Sequence, residues 1–439
     1  LFACLFLTAF GPSSSARRWA ETAGPEGLNE WRQWRGPLAT GEAPQGKPPL
    51  TWDEKTHVAW KAPLPGKGAS TPIVLGERVF VLAAVDTGRQ AAAKDIPKPV
   101  PGMRKIPKPP TTYHRWLVLC LDRKTGKVVW QRTAAEAVPH EGHHQTHSFA
   151  ASSPTTDGKR LYVSFGSQGV FCYDLDGKPL WERHLGRMET RVGWGEGTSP
   201  ALHKGTLYHT WDHENGSFLV ALDAATGKTV WKKDRDEVTT WATPLVVEHQ
   251  GKTQLVVPAT KKTRGYDAAT GEVLWECAGL TVNCIPSPVA RDGVVYCMTG
   301  YRGFAGLAIP LGGRGDVTGK VLWKLGRGTP YVSSPLLAGG RLYFVEALQP
   351  LLTCVNAKDG KVLFRERLPG MDQVYCSPVA AAGRVYLADR RGTTVVLAQA
   401  DTFKVLAVNR LGEAIDASPA VAGKQLFLRG EKHLYCIEE

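Results

Sequence analysis

Asp223-Ala224-Ala225-Thr226-Gly227-Lys228-Thr229-Val230-Trp231 returns 44 residues later as Asp267-Ala268-Ala269-Thr270-Gly271-Glu272-Val273-Leu274-Trp275. The same phrase closes at Trp130 after Thr125-Gly126-Lys127, and at Trp323 after Thr318-Gly319-Lys320. Asp176-Gly177-Lys178 to Trp181 is a shortened copy, and Asp359-Gly360-Lys361 to Phe364 exchanges Trp for Phe. Thr-Gly and Asp-Gly supply the backbone of a tight turn between paired strands. Each copy therefore reads as strand, turn, and a strand that ends in a large aromatic.

Upstream of each phrase stands a Ser/Thr-Pro pair. The prolines are Pro72, Pro154, Pro200, Pro244, Pro288, Pro335, Pro378 and Pro419, at intervals of 82, 46, 44, 44, 47, 43 and 41. Proline opens a strand where the ladder needs no donor. A strand such as Arg160-Leu161-Tyr162-Val163 or Arg384-Val385-Tyr386-Leu387 follows each pair. One sheet of about 40 residues cannot bury both of its faces, so the copies must stack on one another. An all-β repeat of this period predicts a β-propeller, which closes radially and so leaves only short sheet edges.

The count predicts eight blades of four antiparallel strands. The eighth copy stops at Glu439 before its Trp-bearing strand, and Thr56-His57-Val58-Ala59-Trp60 supplies one. The N-terminal strand thus joins the C-terminal blade and closes the ring. The Trp set reads as packing between blades.

The remaining organisation is irregular. Leu1–Phe10 is apolar and Gly11–Ala16 is small or hydroxylated, which predicts a truncated export signal over 1–16 and export to the periplasm or cell exterior. Leu1-Phe2-Ala3-Cys4 looks like a lipoprotein box, but the apolar run continues past Cys4. Residues 17–56, with Trp31-Arg32-Gln33-Trp34-Arg35-Gly36-Pro37, form a lead-in expected to pack on the ring, and 57–439 form the propeller. An insertion over 85–116, carrying Lys94, Lys98, Lys105 and Lys108 among prolines, reads as an extended loop. Copy seven decays, with Ala407 where Trp is expected.

Cys120, Cys172, Cys354 and Cys436 share one slot that Ala221 fills elsewhere, so they read as small core residues. Cys277 and Cys284 are left as a possible pair if their loops meet.

Composition narrows function. Fourteen Trp and a formal charge of +13 over 439 residues favour an anionic or stacking partner. No phosphate-binding Gly loop, nucleophile elbow, zinc knuckle or nucleic-acid motif is present, and no stretch is long enough to cross a membrane as a helix.

These repeats resemble the PQQ-like, quinoprotein-type β-propeller superfamily, and within it the exported BamB-like propellers. The lead-in, Val58-Ala59-Trp60-Lys61, Gly312-Gly313-Arg314-Gly315-Asp316 and Asp416-Ala417-Ser418-Pro419 resemble members from planctomycete-like bacteria. The resemblance spans about 31–439 and implies the fold. Quinoprotein alcohol dehydrogenases carry an adjacent Cys-Cys pair over the quinone; this chain has no adjacent cysteines, so no cofactor is expected.

Loops on one face of a propeller rim its axis, and there the sequence offers a ligand-binding set. The aromatics are Trp194, Trp211, Trp241, Tyr301, Tyr331 and Tyr375. The polar members are Lys261, Arg264, Asn283, Arg302 and Arg390. His213, Glu214 and His140 are candidates for acid–base chemistry. His140, His143, His144 and His147 are candidates for a metal, although their spacing fits no zinc-enzyme motif. The sequence reads as a monomeric binding scaffold for an extracytoplasmic protein or an anionic polysaccharide. The alternatives are an enzyme acting on a carbohydrate-like substrate in the funnel and, third, a quinone-dependent oxidoreductase.

Overall fold

The computed structural model describes residues 27–98, 100–346 and 348–439. The segment 1–16, expected from sequence to be an export signal, lies outside them. Eight sheets surround one axis, each with four antiparallel strands, in chain order in the first seven. In the third blade these are Ala201–His203, Thr206–Trp211, Phe218–Asp223 and Thr229–Asp234. The two middle strands are buried almost throughout, because neighbouring blades cover both faces. The outermost strand exposes alternate side chains.

The ring closes as the sequence predicts. Val58–Pro63 runs antiparallel to His433–Ile437, pairing Val58 with Ile437 and Pro63 with His433, and completes the eighth blade.

Each repeat Trp docks on the next blade's turn. The Trp181 indole N–H donates to the Ala224 carbonyl at 3.0 Å, and its ring lies where a Cβ on Gly227 would stand, 2.7 Å away. Trp60, Trp130, Trp231 and Trp323 make the same contact with Arg123, Leu175, Ala268 and Ala357 at 2.9–3.1 Å. The turn glycines serve this approach as much as the turn itself; Gly227 has φ +70. Trp275 differs. It is fully buried, donates to Gln254 Oε1 at 2.9 Å, and is covered by the short parallel strand Gly315–Asp316.

The Ser/Thr-Pro pairs form a second inter-blade system, around the axis. At seven of the eight junctions one blade's N–H donates to the next blade's hydroxyl, the eighth-to-first junction being the exception: Thr71 to Ser153 (3.0 Å), Ser153 to Ser199 (2.8 Å), Ser199 to Thr243 (3.2 Å). Thr243 donates to Ser287 (3.0 Å), Ser287 to Ser334 (2.9 Å), Ser334 to Ser377 (2.9 Å), and Ser377 to Ser418 (2.8 Å). Proline explains the strand start, and the hydroxyl explains the pairing of blades.

The lead-in crosses one end of the ring. Trp31 bridges Val74 of the first blade, Thr40 accepts from Leu337 of the sixth, and Glu42–Ala43 adds a parallel strand beside Val379–Ala381 of the seventh. Where the seventh blade has Ala407, Trp52 stacks on Tyr386, and Tyr386 donates to the carbonyls of Pro48 and Pro49. Residues 48–52 thus stand in for both the missing Trp and its turn.

The insertion is loop only at its tip. Its flanks extend the first blade's hairpin as far as Gln90 and Thr112, and the tip folds over the second blade, with Ile106 donating to Val192. All eight described cysteines are buried free thiols; Cys277 and Cys284 do not pair.

Candidate functional site

The axis holds a cavity of about 380 Å³. Seven of the Ser/Thr-Pro hydroxyls lie in its wall. Trp34 lies against it from the lead-in, with its indole N–H on Ser287 Oγ at 3.1 Å. Five further aromatics line it: Trp194, Trp241, Tyr301, Tyr331 and Tyr375. Tyr301 stacks on Tyr331 at 4.8 Å and 22°, and Trp194 meets Tyr301 edge-on at 6.3 Å. Trp241 is fixed by its indole N–H on the Gly195 carbonyl at 2.7 Å.

Five of the six aromatics named from sequence therefore converge. Trp211 does not. It closes its strand inside the third blade, fully buried and stacked on Phe218 at 6.0 Å, so it is core. Asn283 is buried beside this group with φ +58, its side chain against the Tyr331 hydroxyl.

The basic residues divide. Arg264 is held by Asp236 (2.7 Å), Glu237 (2.8 Å) and Glu276 (3.5 Å), and Lys261 lies against Asp236. These pairs compensate one another and lie away from the cavity wall. Arg390 lies over Tyr375 at 4.9 Å while pairing with Asp416 at 2.8 Å. Arg302 is exposed, with its guanidinium over Tyr301 at 5.4 Å.

The histidines do not share a point. His144 and His147 line the cavity. His144 Nδ1 faces Thr146 Oγ1 at 2.7 Å; His147 Nε2 faces the Glu196 carbonyl at 2.9 Å, and burial pulls this imidazole down to about 4. His143 turns to the His144 carbonyl and packs edge-on against Phe149 at 4.6 Å. His140 is buried elsewhere, against the Met188 carbonyl at 2.6 Å. His213 and Glu214 are also committed separately. His213 Nδ1 accepts the Glu189 N–H at 3.3 Å, whereas Glu214 accepts from Thr239 Oγ1 at 2.7 Å. As a base with its orienting acid, this pair has no geometry here.

A second polar cluster lies between the second and third blades. His140, Glu141 and Glu189 are the described His/acid group close enough to share an ion. The Lys105 ammonium already sits on it, 2.6 Å from Glu141 and 2.5 Å from Glu189, both carboxylates being buried, and Arg187 reaches Glu189 at 2.5 Å. Thr190 adds its hydroxyl to Glu141 at 2.5 Å. Sequence reading passed over Lys105 because it lies in the proline-rich insertion, far along the chain from both acids. Next to the cluster, a void of about 40 Å³ is lined by His140, Glu141 and Glu196. Glu196 accepts from the Ser167 N–H and hydroxyl, and burial plus the nearby Glu141 push its carboxyl up to about 8.

No described cysteine lines the axial cavity, so the residues present do not fit a quinone held under a disulfide.

The family described as outer membrane protein assembly factor BamB matches residues 114–278, 176–314 and 311–433. The chain belongs to this BamB family. BamB of Yersinia pestis is 24% identical over 294 residues, covering 63% of this chain and 68% of that protein. Tetrathionate hydrolase of Acidithiobacillus ferrooxidans is 24% identical over 298 residues, covering 62% of this chain. The chain spans about half (53%) of that hydrolase's length. In three dimensions, BamB of Moraxella catarrhalis aligns with a TM-score of 0.53 at 13% identity, over 81% of this chain and 98% of that one. A quinohemoprotein alcohol dehydrogenase of Pseudomonas putida aligns at 0.58 and 10% identity, over 93% and 80%. At these identities the structural likeness shows the fold alone. Among the described residues of this BamB-family chain, no helix is long and apolar enough to cross a membrane.

Proposed function

We propose that this protein is an exported, monomeric scaffold that docks another extracytoplasmic protein over its funnel face, with part of the partner entering the axial cavity and no quinone bound. The observation that carries the reading is the aromatic group of Trp194, Trp241, Tyr301, Tyr331 and Tyr375 around a cavity of about 380 Å³. Rigid Trp and Tyr side chains at a concave centre are the usual energetic core of a protein interface. Kinship with an assembly factor supports the same reading. The anionic-polysaccharide alternative loses weight, because Lys261, Arg264 and Arg390 are already in ion pairs. The apolar Leu1–Phe10 run supports export.

A photo-crosslinking residue at Tyr375, in the native host, tests this. The expected result is a discrete adduct with one protein, whose purified form binds about tenfold more weakly to Tyr301→Ala. Crosslinking to no protein, or affinity unmoved by that change, overturns it.

A second reading, an enzyme, is favoured by Glu196, which lines the small void beside the second and third blades and not the funnel. Its carboxyl, pushed up to about 8, lies 3.7 Å from His140, so a proton donor and a neutral imidazole adjoin. Turnover of tetrathionate or of an oligosaccharide, abolished by Glu196→Gln, would establish it; the absence of turnover on both would count against it.

A further inference from the structure

Each of the seven cavity-lining hydroxyls accepts a backbone N–H, and Ser287 also accepts from Trp34. Accepting uses a lone pair and leaves the hydroxyl's own proton to donate. No described protein group takes these protons, so the wall presents a ring of O–H donors.

The charge behind that wall is positive and uncompensated. Arg35 is buried under the sixth and seventh blades, its Nη2 on the carbonyls of Pro335 (3.1 Å) and Pro378 (2.7 Å). These prolines directly follow the cavity-lining Ser334 and Ser377. Its Nε and Nη1 have no partner. Arg429 is buried at the join of the eighth and first blades, bonded to Ser70, which adjoins the cavity-lining Ala69. Its Nε is also without a partner. Burial draws both guanidinium groups down to about 9, which leaves them charged at neutral pH. On the acid side, Asp416 lines the cavity but is paired with Arg390. Glu196 lies beside the cavity-lining Gly197, and burial pushes its carboxyl up to about 8, which favours its protonated form at pH 7. Water would satisfy the hydroxyls but not the two buried cations.

We infer that the axial cavity binds an anionic group, a carboxylate or a tetrahedral oxoanion, on its ring of hydroxyl donors. The cavity falls in the size range of small-ligand sites, so the group has a larger body or shares the space with water. The anion is either a free solute or an acidic chain end of a docked partner, and the inference holds without the docking reading.

Crystals of the full chain soaked in selenate, read by anomalous scattering, form one arm. Titration with a short peptide bearing a free C-terminal carboxylate, against its amidated twin, forms the other. Selenate on the hydroxyl ring assigns a free oxoanion. Binding of the carboxylate peptide alone, with selenate excluded, assigns a chain end. In either case Ser199→Ala combined with Ser377→Ala weakens binding about tenfold. A cavity without selenate, together with peptides that bind equally or not at all, overturns the inference. The wild-type soak decides this even if the double variant fails to fold.

Discussion

The indole of Trp52 lies parallel to the ring of Tyr386, with centroids 6.4 Å apart and planes at 19°. In other blades the same tyrosine position meets a Trp of its own sheet, as Tyr208 meets Trp231 and Tyr296 meets Trp323. The lead-in therefore repairs the one blade whose outer strand carries Ala407.

Trp52→Ala is expected to lower unfolding free energy by about 3–5 kcal/mol, the range for deleting a buried large aromatic. Adding Ala407→Trp to that variant should restore part of the loss, whereas Ala407→Trp alone should destabilise by crowding. Urea denaturation of the four proteins checks the cycle.

Lys105→Met should cost about 3–5 kcal/mol, because it leaves Glu141 buried without its cation, while Glu189 keeps Arg187. The loss should be local. Hydrogen exchange over 91–111 should accelerate, while the far blades keep their protection.

Two buried groups give stability opposite slopes with pH. Glu196 has its folded value raised from 4.5 to about 8, so between those limits the unfolded chain ionises first and stability falls as pH rises. His209 has its folded value lowered from 6.5 to about 4 by burial, so its contribution is lost as pH falls through that window. Glu196→Gln should remove the falling slope between pH 4.5 and about 8, by at most about 1.4 kcal/mol per pH unit, and His209→Gln the rising slope between about pH 4 and 6.5. Urea midpoints from pH 4 to 9 measure both; parallel curves for variant and wild type would refute the assignment.

Gly227→Ala should destabilise more than Gly216→Ala. Both glycines have positive φ, +70 and +92, so both alanines are strained. Only at Gly227 does the new Cβ also meet a ring, Trp181 at 2.7 Å; Gly216 has nothing within 4 Å. Thermal melts of the pair separate docking from turn strain, with an expected gap of about 1–3 kcal/mol.

The propeller was legible because its signals are local and repeated: a Thr-Gly-Lys turn, a Trp and a Ser/Thr-Pro pair each recur within one blade. What the hydroxyl of that pair does was not legible, since its donor stands one blade away. Lys105 and Trp52 fall outside the period, and their partners lie far along the chain, so no spacing marks them. The aromatic lining could be read because inter-blade loops must face the axis. Trp211 was misplaced by the length of one strand, which carries it into the core instead of the rim.

The closing pair of the ring also dictates how the molecule bears load. Val58 pairs with Ile437, so the first strand leaves the clasp at the end where the last strand stops. Tension on the two ends of the chain peels that pair open one hydrogen bond at a time; it does not shear all of them together. Before any pull on the N-terminal side reaches Val58, it must strip the lead-in from the first, sixth and seventh blades. The strap is the fuse for the N-terminal pull alone; the C-terminal pull reaches Ile437 directly.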